Sequence, residues 1–311
     1  MSSGREGSRS LRLRFSKAVL VRLIGGLGNQ MFQYAAARAV AVRCDAPLML
    51  DISWFASETE RRFALSPFRI RAGKLDLAPS RPPRNSRWNM IFQRFAHRFN
   101  RRVATHKFGI PIYREGSFRY DSCVQTLQAP VYMDGYFQSE KYFADCRNII
   151  FDDFQISDPP RSKAQALLER IEAADAICMH VRRGDYVTNP ATKAFHGLCS
   201  MDYYRRGLQD IARNLTQPEC FVFSDDPVWV HDNLKLDLPM TVVDIHGPDE
   251  AHEDLRLMAA CHSYVIANSS MSWWGAWLGG RAGKRVVAPR QWVQAPGMDT
   301  RDLIPNDWVR L

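Results

Sequence analysis

Apolar positions along the chain fall into two recurring patterns, short β-branched runs and longer helical stretches, and their order predicts an α/β protein. "AVLVRLIGGLGNQMFQYAAARAVAVRCDAPLMLDIS" reads as a strand, a glycine turn at Gly25 and Gly26, an alanine-rich helix and a second strand, "PLMLDI". That is a βαβ unit. From Ser53 to about Gln128 no periodicity stands out, and loops, an insertion and one helix are expected there. "PVYMDGYF" and "SEKYFADCRNIIFDDF" then predict a strand and a helix, and "QISDPPRS", with two prolines, predicts a linker. The second half alternates regularly: strands "AICMHV", "CFVFSD", "MTVVDI", "SYVIAN" and "RVVAP" are separated by helices "MDYYRRGLQDIARN", "PVWVHDNL", "DEAHEDLRLMAA" and "SSMSWWGAWLGG". Such alternation with short loops predicts a parallel, doubly wound sheet. The expected organisation is a disordered basic tail over 1–17, an N-terminal α/β domain over 18–155 and a C-terminal Rossmann-like domain over 156–311.

Composition narrows the class. A chain of 311 residues with 46% hydrophobic content can bury the cores of two ordinary domains. No window reaches the roughly 18 uninterrupted apolar residues of a membrane span, and "AVLVRLIGG" is short, broken by Arg22 and without a cleavage-site pattern. Seven scattered cysteines with no Cys-x-x-Cys pair point to neither a disulfide framework nor a zinc site, which fits a reducing cytosol. The net charge of +9 conceals an asymmetry: residues 1–150 hold 25 Lys and Arg against 11 Asp and Glu, and the remainder 17 against 22. A basic first half can attract nucleic acid, anionic lipid or an acidic glycan, and charge alone does not choose among them. Within it, Arg81 to Arg102 carries seven arginines with Trp88, Phe92, Phe95 and Phe99 along one helical face. Such a helix either lies on anionic membrane or packs its aromatics on the first domain with its arginines solvated.

Ligands of doubly wound sheets bind outside the carboxyl ends of the strands. Three stretches fall there: "HVRRGD", "FSDD" and "NSSMSWW". Ser269 and Ser270 begin a predicted helix, where serine is an ordinary N-cap but where free N–H groups also make an anion site. An arginine would complete that site, since guanidinium matches phosphate bidentately. Strand alternation sends His180 and Arg182 to one side and Arg183 to the other. Arg182 is therefore assigned to an anionic ligand, while Arg183 is either a second ligand contact or a partner of Asp185 or another buried carboxylate. The acids of "SDD" at Ser224 to Asp226 are read as caps of the next helix. The turn "GGLGNQ" lacks a phosphate-loop lysine and puts Met31 where a dinucleotide fingerprint needs its third glycine, although Asp51 imitates a ribose-binding acid.

"GGLGNQMFQYAAARA", "HVRRGDY", "VFSDD" and "NSSMSWWGAWL", in this order, resemble the motif series of the α-1,2-fucosyltransferases of glycosyltransferase family eleven, from about Val19 to Leu311. The resemblance implies a GT-B-like architecture of two Rossmann-like domains with a donor cleft between them. It further implies GDP-β-L-fucose as donor, no metal or other cofactor, and inverting transfer to the 2-hydroxyl of a terminal galactose in a glycan, lipid-linked in a bacterial setting. Without a membrane anchor ahead of the first motif it resembles a bacterial, cytoplasmic version, with peripheral contact at the anionic inner membrane face as an expectation from the arginine-rich stretch. By the same resemblance His180 contacts the guanosine side, Arg182 neutralises the leaving pyrophosphate with Ser269 and Ser270, and Asp254 accepts from guanine N1–H and N2–H₂, against the alternative of an exposed helix-start acid. Gly26, Asn29 and Gln30 line the cleft, with the amides donating to hydroxyls or capping the following helix. No carboxylate stands out as general base; Asp185 is a candidate by position but is better read as an arginine partner. Two other readings stay open: transfer in α-1,6 or α-1,3 linkage, and, from a different class, a non-enzymatic nucleic-acid-binding module. The clustered tryptophans of "SWWGAWL" look like core and speak against the module.

Overall fold

The computed structural model describes residues 15–58, 61–75, 106–280 and 282–311. The arginine-rich stretch Arg81 to Arg102 and the tail before Phe15 lie outside these residues. Phe15, placed in the tail by the sequence, is 2% exposed and packs with Ala18, Leu20, Leu75, Ile110 and Tyr132, so the ordered core starts ahead of Lys17. The chain divides into two compact units, Met1–Gln155 with Arg301–Leu303, and Ile156–Thr300 with Ile304–Leu311. Each is α/β with a largely parallel six-stranded sheet, the make-up expected of a GT-B-like chain. Among the described residues no helix is long and apolar enough to cross a membrane.

Unit 1 is built on β1 (Val19–Arg22), β2 (Leu48–Asp51), β3 (Gly73–Leu75), β4 (His106–Lys107), β5 (Ile110–Arg114) and β6 (Val131–Asp134), ordered β3-β2-β1-β6-β5-β4. Among the described residues of unit 1, only the β4–β5 pair is antiparallel. Helix α1 (Leu27–Arg43) links β1 to β2 and buries 13 of its 17 residues. Alanines at 35–37, 39 and 41 make that possible, because small side chains let the helix lie close against its neighbours without large voids. The aperiodic stretch holds β3, β4 and β5, which are too short or too mixed in character to show a period. The helix expected over "SEKYFADCRNIIFDDF" is instead two 3-10 turns followed by α2 (Arg147–Asp153).

In unit 2, α3 (Ser162–Ala173) leads into β7 (Asp175–Val181), which is followed by two short helices, α4 (Gly184–Thr188) and α5 (Pro190–His196), and then by α6 (Met201–Ala212). The remaining elements are β8 (Pro218–Ser224), α7 (Pro227–Asn233), β9 (Met240–Val243), α8 (Ala251–Ala260), β10 (Ser263–Val265), α9 (Ser270–Leu278), β11 (Val286–Ala288) and β12 (Val309–Arg310). Strand order is β12-β11-β10-β7-β8-β9, all parallel. β7 is buried from Ala176 to Val181, as an apolar run covered on both faces must be. Trp273, Trp274 and Trp277 of α9 are buried against one another and Trp308, so the tryptophan cluster is core. The chain winds outward from β7 through β8 and β9, then returns to β10 on the other side of β7. The carboxyl ends of β7 and β10 therefore flank a topological switch point, where open α/β sheets form a crevice.

Candidate active site

The β7 end of that crevice carries a dense charged cluster. His180 is 6% exposed and its Nδ1 has no hydrogen-bond partner. Burial pushes its pKa down to about 4, with Arg182 acting the same way and Asp225 against it, so the imidazole is neutral near pH 7. A buried ring nitrogen left over by the protein marks a place for a ligand or water contact. Arg182, with 20% of its side chain exposed, donates through Nη2 to Asp185 Oδ1 at 2.5 Å and pairs through Nη1 with Asp225 Oδ2 at 3.2 Å. Its guanidinium lies 5.4 Å from the centre of the Tyr186 ring. A guanidinium has five N–H groups, so two carboxylate contacts leave donors for a further anion.

Arg183 is separated from this pair as alternation predicts. Its Nε sits 3.2 Å from Asp226 Oδ2, and its guanidinium stacks 3.7 Å from the centre of the Trp229 ring. Its partner is thus Asp226, not Asp185. The backbone N–H of Arg183 donates to Asp225 Oδ1 at 2.8 Å. Gly184 permits this approach, because a Cβ there would collide with the Asp225 carboxylate. Asp226 also caps α7, accepting from the Trp229 N–H at 3.2 Å. The capping role read from sequence therefore fits Asp226, whereas Asp225 belongs to the arginine cluster. Asp225 and Tyr186 are the residues of the site that sequence reasoning missed; the usable signal was the adjacency of "HVRRGDY" and "FSDD" at neighbouring parallel strand ends.

At the β10 end, Ser269 occupies the N-cap of α9 without making a side-chain capping bond, so the ordinary explanation for a serine there does not apply to its hydroxyl. Tyr186 joins the two halves of the crevice, since its hydroxyl donates to the Asn268 carbonyl at 3.0 Å while its ring faces Arg182. Through Tyr186, Arg182 is thus linked to Asn268, the residue before the N-cap Ser269 of α9. Asp254 lies in the first turn of α8 with its Oδ1 2.7 Å from His246 Nδ1. Burial raises its pKa and His246 opposes the rise. It is thus a partly buried, oriented carboxylate and not a freely solvated helix-start acid.

In unit 1 the residues expected to line the cleft separate. Gly25 takes the left-handed conformation of the turn (φ +78°), while Gly26 is extended and precedes α1. Asn29 Oδ1 accepts from Gln138 Nε2 at 2.8 Å, which ties the start of α1 to the loop after β6. Gln30 does not donate to a ligand as expected: it is fully buried, its amide hydrogens go to the Gly25 and Arg62 carbonyls at 2.9 and 2.8 Å, and its oxygen accepts from the Ala64 N–H at 2.8 Å. Both amide hydrogens are committed, so Gln30 is a fastener of the 62–64 loop. Asp51 is likewise buried among Lys107, Tyr132 and Ser53, not presented to a ribose.

Glu115, just after β5, had no sequence signal because its surroundings are aperiodic. Its Oε2 accepts from the Tyr136 and Phe137 N–H groups at 2.7 and 2.9 Å, shaping the turn that carries Gln138. Burial pushes its pKa up to about 7, against the pull of those donors. A carboxyl raised in the folded state binds a proton that the unfolded chain has already lost, so stability declines as pH rises from the ordinary carboxylate range to about 7. Glu115→Gln is expected to flatten that decline in thermal melts; an unchanged pH profile would show that Glu115 does not titrate there.

The chain matches glycosyl transferase family 11 over residues 9–311. It is 32% identical over 304 residues to an O-antigen biosynthesis glycosyltransferase, WbnK, of Escherichia coli, covering 93% of this chain and 99% of that one. An Escherichia coli alpha-1,2-colitosyltransferase is 30% identical over 94% of this chain and 98% of its own. Mouse galactoside alpha-(1,2)-fucosyltransferase 2 is 27% identical over 84% of this chain and 68% of its own. These matches set aside the nucleic-acid module: the chain is a glycosyltransferase and belongs to family 11.

Proposed function

We propose that the protein transfers L-fucose from GDP-β-L-fucose to the 2-hydroxyl of a terminal galactose, with inversion and without a metal ion. The observation that carries this reading is Tyr186, whose ring lies 5.4 Å from the Arg182 guanidinium and whose hydroxyl donates to the Asn268 carbonyl just ahead of α9. Fixed positive groups there can take up the charge that develops as the bond between the sugar C1 and the β-phosphate oxygen breaks, the electron pair leaving with GDP. His180 and Asp254 are assigned to the nucleoside side, the first through its unpartnered Nδ1 and the second through a carboxylate held by His246. The acceptor oxygen attacks C1 from the opposite face, and its proton passes late to solvent water, which lessens the need for a strong base. Asp185 is engaged with Arg182 and is not assigned that role.

The likeness to named α-1,2 fucosyl- and colitosyltransferases supports the linkage, and the second of these favours an alternative donor, the colitose nucleotide. Incubating the enzyme with a galactoside and each GDP-sugar in turn, with the product linkage read by NMR, tests both. Fucose on the galactose 2-oxygen is expected, undiminished by chelator. A different linkage, sole use of the colitose donor, or activity lost to chelator and restored by magnesium or manganese would each overturn its part of the reading.

A further inference from the structure

Asp254 is held more firmly than its place on a helix requires. Because the sheet of unit 2 is parallel, α8 runs from the end of β9 back to the start of β10, which puts its first turn and Asp254 at the carboxyl edge. An aspartate in a first turn can swing its carboxylate about a broad terminal torsion. This one is restrained: His246 Nδ1 lies 2.7 Å from its Oδ1, with the imidazole as donor because a carboxylate only accepts. His246 is itself fixed in place. Its side chain is 6% exposed. Its loop is tied down at the next residue, where the Gly247 N–H donates to Glu250 Oε2 at 3.0 Å, and Glu250 Oε1 in turn accepts from Arg161 Nη1 at 2.5 Å.

The carboxylate also faces the strand that carries the charged cluster. Burial first, then Cys261 and Cys220, and with them Asp254, raise the pKa of the Cys178 thiol in β7, so the Asp254 charge reaches the face of β7 on which Cys178 stands. Alternation puts His180 and Arg182 on that same face, and with them the orphaned His180 Nδ1. A carboxylate offers about four acceptor positions, and His246 takes one. Both oxygens can therefore still accept from a flat ligand edge with two adjacent N–H donors, and the bond from His246 sets the plane in which they are offered. Guanine has such an edge in N1–H and N2–H₂. Hypoxanthine keeps only N1–H, and adenine would turn an acceptor nitrogen toward the carboxylate.

We infer that His246 is the positioning residue for base selection: by orienting Asp254 it makes the site choose guanine over bases that lack the paired N1–H and N2–H₂ donors, an inference that rests on the guanosine donor proposed above. The test measures calorimetric affinities for GDP, IDP and ADP on wild type, His246→Ala, His246→Asn and His246→Gln, beside thermal melts. Wild type is expected to favour GDP over IDP by about ten- to a hundredfold, the scale of one hydrogen bond to a charged group, and to bind ADP more weakly still. An unoriented carboxylate can still meet one N–H but must be frozen to meet two. His246→Ala is therefore expected to lose about tenfold in GDP affinity, with IDP affinity changed by less than about threefold. Asparagine, whose amide N–H falls near the place of Nδ1, should restore the preference. Glutamine, whose amide reaches toward the place of Nε2, should not, and this pair decides the matter if the alanine variant does not fold. Equal losses on GDP and IDP, as a purely structural histidine would give, or an unchanged preference in every variant would overturn the role of His246 and leave the proposed reaction standing. Wild type that held GDP no better than ADP would instead overturn the guanosine donor, and this inference with it.

Discussion

Replacing Arg182 by alanine is expected to lower transfer by a factor on the order of 10² to 10³ while unit 2 stays folded. Arg182 stands between Asp185 and Asp225 at 2.5 and 3.2 Å, so its removal does two things at once. In the proposed reaction it deletes the positive group assigned to the leaving pyrophosphate, and it leaves two carboxylates there no longer neutralised. Lysine should recover only part of the loss, because a single ammonium cannot hold two carboxylates and a phosphate with the planar fork of guanidinium. Turnover measured beside a thermal melt separates the effects, since both carboxylates are partly exposed and can relax into water. Wild-type turnover in a folded Arg182→Ala protein would sink the assignment.

The largest stability effect is expected at Asp51. Its fully buried carboxylate accepts from Lys107 Nζ at 2.6 Å, the Tyr132 hydroxyl at 2.6 Å and the Ser53 N–H at 3.1 Å. Alanine there strands a lysine and a phenol. Removing one member of a fully buried pair costs about 3–5 kcal/mol; Lys107 is a third exposed and can turn toward water, which brings the expected loss down to about 2–3 kcal/mol in denaturant unfolding of unit 1. Burial alone would raise the Asp51 pKa, but the hydrogen bond and charge of Lys107 outweigh it and hold the carboxyl below its ordinary value. A depressed folded pKa means that this stabilisation is present at neutral pH and is lost as pH falls through the carboxylate range toward the folded value. GDP affinity should not change. A stability loss under about 1 kcal/mol would refute the structural role, and a ligand-binding defect in a stable protein would restore the ribose-acid reading.

Legibility followed the length of each periodic run. The βαβ start and the alternating second half were readable because their apolar stretches are long enough to show a period, and parallel strands buried on both faces leave continuous Val, Ile and Met runs. β3, β4, β12 and the helices α4 and α5 were not, because elements of two to seven residues carry no period of their own and are held by what surrounds them. The role of Gln30 is not legible in the sequence for a related reason. An amide in a glycine-rich motif offers the same atoms to a sugar or to a distant loop, and only the position of Arg62 and Ala64 decided between them.

By itself the sequence determined a two-unit α/β organisation with its motifs at strand ends, because strand periodicity and glycine turns are local properties written in consecutive residues, while the glycosyltransferase reading came from the resemblance of those motifs to a known family. The tertiary structure alone decided which charge neutralises which. Asp225 and Asp226 are adjacent in the chain, yet one pairs with Arg182 and the other with Arg183, since successive residues at a strand end point to opposite sides. It also decided that Tyr186 joins Arg182 to the start of α9, and that Glu115, remote from every motif, shapes the loop bearing Gln138. Apart from Tyr186 on Arg182, those contacts span tens of residues, and they exist only once the tertiary fold has set the segments side by side.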